Sequence, residues 1–233
     1  MEEQSVSQKA PVTKYKRVIN ILKTSYYDEE GTIEFGIDEV GRGPMFGRVY
    51  TAAVILPKEG FDHSKMKDSK KFHSKKKIIE VSDYIKENAV AWSIQWEDEK
   101  TIDKINIRNA THSAMHKAIK NIYDSTKETV LLVDGNDFKP YVIMRGNSLE
   151  QVPHICIEGG DNKYSSIAAA SILAKVARDA YIAELCLEHP ELVEKYDLGN
   201  NKGYGTKKHM DGISQHGITE WHRRSFGICK TFE

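Results

Sequence analysis

Thr129–Gly135 reads TVLLVDG, an unbroken apolar run that ends on an acid and a glycine. A strand with one face in water alternates apolar and polar residues. A run without alternation belongs to a strand covered on both faces, so the rest of the chain must supply the covering helices. The ending recurs: IEFGID at Ile33–Asp38 runs into Asp38 and Glu39, and HICIEGG from His154 leads to Asp161, each acid with glycine close by. In an open α/β sheet ligands bind at strand ends, and acids gathered there repel one another unless a cation neutralises them.

The remaining segments fit such a sheet. VYTAAVIL at Val49–Leu56 and AVAWSIQW at Ala89–Trp96 are β-like, and Ser74 is placed to cap a helix through KKKIIEVSDYIKEN, where Ile78, Val81 and Ile85 keep helical spacing. Ile105–Tyr123 carries Ile107, Ala110, Ala114, Met115, Ala118, Ile119 and Ile122 on one stripe, as a buried helix would, and the alanine-rich Ser166–Leu185 is a strong helix former. Because the first three β-like runs are only partly separated by helix, the pattern predicts an α/β layer sandwich whose mixed sheet opens with a meander. Residues 1–30 read as a tail or short extension, within which Tyr15–Leu22 fits either a short helix or a strand. A polar, glycine-containing region from about Leu187 reads as a helical appendage.

A length of 233 residues suits one large domain, or one domain with an appendage. Lys plus Arg equals Asp plus Glu at 34 each, so overall basicity cannot mark a nucleic-acid binder here, and only a local patch could. Two patches exist: Lys65, Lys67, Lys70, Lys71, Lys75, Lys76 and Lys77, then Lys202, Lys207, Lys208, Arg223 and Arg224, interleaved with Phe72, Tyr204, Trp221 and Phe226. They suit phosphate tracking and, for the first cluster, equally a solvated helix face. Three distant cysteines without a C-x-x-C pair exclude a disulfide framework and point to a reducing compartment. An acidic, polar N-terminus lacks signal-peptide character, and no long apolar run provides a membrane span. The expected location is the cytoplasm.

Aspartate and glutamate oxygens favour Mg²⁺ or Mn²⁺, and two such ions can activate a water and stabilise the leaving oxygen of a phosphodiester. The competing reading is that acids at strand ends are ordinary loop residues. Neighbouring strand residues point to opposite faces, so Asp38 and Glu39 share a site only if the strand breaks there, and Gly41-Arg42-Gly43-Pro44 is the expected break. That turn could also cradle an anion or simply link two strands. His209, His216 and His222 lack the H-E-x-x-H or paired-cysteine setting of a zinc site.

GIDEVGRGPMFG from Gly36, DSKKFHSKKK from Asp68, INIRNATHSAM from Ile105, LLVDGN from Leu131, GGDNKYSSIAAASILAKVARD from Gly159, and NKGYGTKKHMDGISQHG with HRRSF near the end follow one another in order. In these motifs the chain resembles the ribonuclease HII family over nearly everything after residue 33. The resemblance implies a ribonuclease H-like fold: a mixed five-stranded sheet flanked by helices in a catalytic domain (31–186), then a helical substrate-binding extension (187–233). It implies a metal-dependent endonuclease, using Mg²⁺ or Mn²⁺, that hydrolyses the RNA strand of RNA/DNA hybrids. Such an enzyme also nicks 5′ of ribonucleotides embedded in duplex DNA, leaving 3′-hydroxyl and 5′-phosphate ends. By motif, Asp38, Glu39, Asp134 and Asp161 would be the catalytic metal ligands. Gly41, Arg42 and Gly43 would meet the nucleotides at the junction, Tyr204 would stack beneath the following deoxyribose, and Lys70 and Lys71 are candidate substrate contacts. A monomer is expected, and no sliding-clamp motif of the Q-x-x-[LI]-x-x-F-F type is visible. Gly47-Arg48-Val49 stands where the family commonly has Gly-Pro-Val, and the Asp134–Asp161 interval is longer than in compact members. The alternatives are another ribonuclease H-like nuclease, which gives no reason to pair GRG with KGYGT, and a non-catalytic nucleic-acid binder, which gives none for four intact acids.

Overall fold

Five β-rich segments pair into one mixed sheet in the computed structural model of the protein, which describes residues 21–27 and 31–232. The tail and most of Tyr15–Leu22 lie outside the described residues. β1 (Ile33–Val40), β2 (Val49–Ile55) and β3 (Ala91–Glu97) form the antiparallel meander, while β4 (Thr129–Asp134) runs parallel to β1 and β7 (His154–Ile157) parallel to β4. The order across the sheet is β3-β2-β1-β4-β7. This matches the expected mixed five-stranded architecture.

Period-two alternation sorts the side chains between two layers. Phe35 and Ile37 of β1 and Leu131 and Val133 of β4 pack with Met115, Ala118 and Ile119 of α2 (Glu99–Ile122) on one face. Gly36 and Asp38, with Val130 and Leu132, therefore face the other layer, where α1 (Lys75–Asn88) and α3 (Ser165–Glu188) lie. α3 sits very close: a Cβ added at Gly36 would fall 2.0 Å from the carbonyl carbon of Ser166. The alanines at 168–170 make that approach possible. Ser74 caps α1 as expected, its Oγ accepting from the Lys77 amide at 3.3 Å.

Two features depart from the sequence pattern. The helix expected over 105–123 begins at Glu99 and is interrupted at Asn106, whose backbone (φ 66°, ψ 162°) is not helical; its side chain re-caps the second segment by accepting from Asn109 N at 3.0 Å. The long interval before Asp161 holds an additional hairpin, β5 (Val142–Arg145) and β6 (Ser148–Gln151), turning through Gly146 at φ 61°. After α3 come α4 (Glu191–Tyr196), α5 (Leu198–Asn201) and α6 (Lys207–His216). The C-terminal segment returns to the β1–β2 connection through a bridge between Phe46 and His222. No described helix is long and apolar enough to cross a membrane.

Candidate active site

Ile37 pairs with Val133, so the next residues of the two parallel strands, Asp38 and Asp134, leave the sheet side by side on the α3 face. Both stand at carboxyl ends of strands, the position where open α/β sheets bind ligands. A cleft of about 150 Å³ opens there, lined by Asp38, Glu39, Ser69, Lys70, Asp134, Ser171, Lys175 and Tyr204. Larger hollows lie beneath the β5–β6 hairpin and along α2, but neither collects acids from adjacent strand ends.

β1 breaks at the expected Gly41–Pro44 turn, yet Asp38 and Glu39 line one cleft with the strand still paired between them. β1 remains paired through Val40–Tyr50 and turns only at Gly41, which has φ 93°. Glu39 thus starts with the same parity as Phe35 and Ile37. It still lines the cleft because β1 runs past its last pairing with β4, leaving room for the longer side chain to reach round. Its carboxylate lies 3.5 Å from the Arg42 guanidinium.

Asp38 is buried, accepts from the Glu39 amide at 2.7 Å and is hydrogen-bonded by Ser171. Burial, then the charges of Glu39 and Asp134, raise its pKa well above the ordinary carboxylate value. Burial also raises Glu39; Arg42 opposes this and Asp134 adds to it. Asp134 accepts from the Gly160 amide at 2.6 Å, which ties the end of β4 to the turn carrying Asp161. Asp161 itself is buried just off the cleft, accepting from Asn162 at 3.0 Å, and its pKa is raised by burial, Asp68 and Asp134.

Asp68 is an acid of this neighbourhood that the sequence reading did not single out. It accepts from the Lys70 amide at 2.9 Å and from Asn162 Nδ2 at 3.2 Å; burial pushes its pKa up, but these bonds and the charges of Lys70 and Lys71 together outweigh that and leave it lowered. Its place in DSKK, just ahead of the lysines, was the available signal. Lys71 donates to Asn162. Lys70 faces four carboxylates: burial pulls its pKa down, but Asp68, Asp161, Asp38 and Asp134 together hold it above the ordinary lysine value.

Among the described residues no three histidine, cysteine, aspartate or glutamate side chains converge tightly enough to cage a metal ion. A closed cage is not what Mg²⁺ requires, since it keeps several waters and takes one or two carboxylates together with substrate phosphate. The donor set fits such a cation: hard oxygens, desolvated and mutually repelling, with the Lys70 ammonium already standing where positive charge is favoured.

The GRG turn and Tyr204 meet across the mouth of the cleft. A Cβ at Gly43 would stand 3.6 Å from the Tyr204 ring, and Gly203, at φ 86°, packs so closely on Phe46 that a Cβ there would fall 2.9 Å away. Met45 N donates to Gly203 O at 2.9 Å, so the two glycine-rich turns form one unit. The Arg48 guanidinium stacks 3.7 Å from Trp96 and 4.4 Å from Tyr181. Two of the histidines set aside as zinc ligands support the same region. Thr219 N donates to His222 Nδ1 at 2.9 Å, His222 Nε2–H then points at His209 Nε2 at 3.1 Å, and His209 Nδ1 donates to Tyr204 O at 3.0 Å.

Known proteins resemble this chain over most of its length. A family model described as Ribonuclease HII matches residues 35–229. The ribonuclease HII of Parabacteroides distasonis is 46% identical over 202 residues, spanning 87% of this chain and 94% of the relative; that of Cytophaga hutchinsonii is 44% identical over 200 residues, 86% and 92%. Among solved structures, ribonuclease H2 of Pyrococcus horikoshii superposes with a TM-score of 0.68 at 20% identity, covering 85% of this chain and 96% of that one. The ribonuclease HII of Archaeoglobus fulgidus, solved with PCNA, gives 0.64 at 21%, covering 84% and 96%. At these identities the two structures speak to the fold.

Proposed function

The chain belongs to the ribonuclease HII family, endonucleases of the ribonuclease H class acting on RNA/DNA hybrids, and from that premise we propose a divalent-metal-dependent enzyme that also nicks 5′ of ribonucleotides embedded in duplex DNA. The observation that carries the reading is the cleft itself. Acids from two adjacent strand ends open onto a glycine turn and an exposed tyrosine, so a phosphodiester at the acids would have its sugar at the turn. Asp38, Glu39, Asp134 and Asp161 would hold Mg²⁺ or Mn²⁺. When bound, such ions supply activation of a water and stabilisation of the leaving oxygen.

The chain's own groups do the rest. Arg42 fixes Glu39 at the cleft edge, and Ser171 orients the Asp38 carboxylate. The Lys70 ammonium offsets acid repulsion in the free enzyme and, with Lys71, is placed to meet phosphate. Gly41, Arg42 and Gly43 lie where backbone groups can read a 2′-hydroxyl, the feature that separates RNA from DNA. Tyr204, 48% exposed, offers its ring to the neighbouring deoxyribose. On this reading 31–186 is the catalytic domain and 187–233 the extension that carries Tyr204 to the substrate.

The test is Asp134→Asn on a labelled duplex containing one ribonucleotide. Binding measured by anisotropy should stay within about twofold, since phosphate contacts carry affinity, while turnover should fall by about three orders of magnitude or more through loss of a metal ligand. Near-normal cleavage by this variant would remove the proposed site.

A further inference from the structure

Arg178 and Arg223 head the large side chains that the protein buries completely. Neither has an ion-pair partner among the described residues. A buried charge without a counter-ion is costly unless its hydrogen bonds are met, and both are met by backbone carbonyls. Arg223 donates from Nε to Gly47 O at 2.8 Å, from Nη1 to Pro44 O at 2.7 Å and Arg42 O at 3.1 Å, and from Nη2 to Gly41 O at 2.7 Å. Its own amide donates to Met45 O at 2.8 Å. Arg178 donates to Arg48 O and Phe46 O, each at 3.3 Å, and to Lys202 O at 3.0 Å. Nearly every carbonyl from Gly41 to Arg48 is thereby gathered inward.

That arrangement dictates where the amides go. In a trans peptide the C=O and N–H point to opposite sides, and no described peptide is cis. With the carbonyls of Gly41 and Arg42 drawn onto Arg223, the N–H groups of Arg42 and Gly43 face away from it. Neither amide has a backbone acceptor among the described residues, and both residues are exposed. Tyr204 stands across from Gly43, and Glu39 precedes the turn.

We infer that Arg223 is a positioning residue for junction cleavage: one guanidinium collecting four carbonyls fixes the amides of Arg42 and Gly43 as a preorganised pair of donors to the ribonucleotide's oxygens. The inference rests on the proposed role of Gly41–Gly43 at the ribonucleotide and adds the side chain that sets their orientation. Burial pulls the guanidinium down to about 9, above neutrality, so it stays charged. Lysine would keep the charge but cannot reach four carbonyls through a planar fork. Fixed donors matter most when one ribonucleotide defines the register. In a long hybrid every neighbouring sugar carries a 2′-hydroxyl, so a loosened loop still finds a productive alignment.

The experiment compares wild type and Arg223→Lys on two duplexes of equal length, one with a single embedded ribonucleotide and one a full RNA/DNA hybrid. The variant should lose about tenfold or more in kcat/KM at the single ribonucleotide and about threefold or less on the hybrid, in line with displaced oxyanion-type donors. Equal losses on both substrates overturn the inference and make Arg223 a purely structural residue. Hydrogen exchange in ¹⁵N-labelled wild type, in EDTA, is independent of whether the variant folds. The Arg42 and Gly43 amides should exchange freely in the unbound enzyme and slow about tenfold or more on the single-ribonucleotide duplex but not on all-DNA duplex, as donors taken up by a ligand do. Amides that do not slow overturn it as well. A wild type that cuts the hybrid and leaves the single-ribonucleotide duplex intact would instead refute the underlying reading.

Discussion

Replacing Gly36 with alanine inserts one methyl group between the two elements that build the cleft. The new Cβ would lie 2.0 Å from Ser166 C, 2.2 Å from Ser166 O and 2.4 Å from Ile167 N, all backbone atoms. Ordinary contact begins at 3.4 Å, so α3 must retreat by about 1.4 Å from β1. Overpacking of this kind costs up to about 3 kcal/mol when side chains can yield, and here only backbone can, so about 3 kcal/mol or more is expected. For a chain of this size that lowers Tm by about 6–12 °C. The retreat also moves Ser171 away from Asp38, two residues beyond Gly36, and a misplacement of about 1 Å can cost about 100-fold in turnover. Far-UV circular dichroism melts and kcat/KM on an RNA/DNA hybrid, measured well below the transition, read the two effects. Gly199→Ala is the control: the nearest atoms to its Cβ are at 3.7 Å, so stability should change by less than about 1 kcal/mol. A Gly36→Ala protein with Tm within about 2 °C of wild type and activity within about twofold would refute the close packing of α3 on β1 and the dependence of the acids upon it.

Three further outcomes follow from the site. Tyr204→Ala should reduce kcat/KM at a single ribonucleotide by the equivalent of about 1–3 kcal/mol, more than on a long hybrid, with Tyr204→Phe near wild type; an unchanged substrate ratio would take Tyr204 out of junction recognition. His222, carried down from 6.5 to about 3 by burial and then by His209, is neutral in the fold. The unfolded chain therefore takes up a proton that the fold refuses. The stability His222 confers is whole above pH 6.5 and is lost toward pH 3, at about 1.4 kcal/mol per pH unit. Denaturant titrations of His222→Gln should show a flatter decline on acidification, and parallel curves would contradict the assignment. Asp38 is shifted the other way, so its ionisation costs stability as pH rises through its folded value. Asp38→Asn in EDTA at pH 7 should melt no lower than wild type, and a clear drop in Tm would make Asp38 a structural acid.

The sheet and its main helices were legible because their causes are local. An unalternated Val130–Val133 reads as a doubly covered strand, and Ser74 ahead of Ile78, Val81 and Ile85 writes a cap and an apolar face in four turns. The acids were legible as strand endings, and the resemblance to a family gave them partners that spacing alone did not. Three features stayed hidden for physical reasons. The β5–β6 hairpin buries little, with Met144 and Leu149 mostly exposed, so no apolar periodicity announces it beyond the Gly146-Asn147 turn. Asn106 breaks α2 through a backbone conformation its side chain then re-caps, and asparagine in a helical run does not say which it will do. Arg223 lay in a basic patch read as a phosphate-tracking surface. Its burial depends on carbonyls some 180 residues earlier in the chain, a relation that composition cannot express.

On the proposed function the carboxylate cleft and the GRG–Tyr204 mouth act together on one phosphodiester beside a ribonucleotide. The most direct measurement of this is product-end mapping: an end-labelled DNA duplex with one ribonucleotide, incubated with the enzyme and Mg²⁺ or Mn²⁺ and resolved at single-nucleotide steps beside an all-DNA duplex. A single nick on the 5′ side of the ribonucleotide, with 3′-hydroxyl and 5′-phosphate ends, no product in EDTA and no cut in all-DNA duplex, is the result the proposed function predicts. Cleavage confined to long hybrids, or a cut at the ribonucleotide that persists without divalent metal, would contradict it.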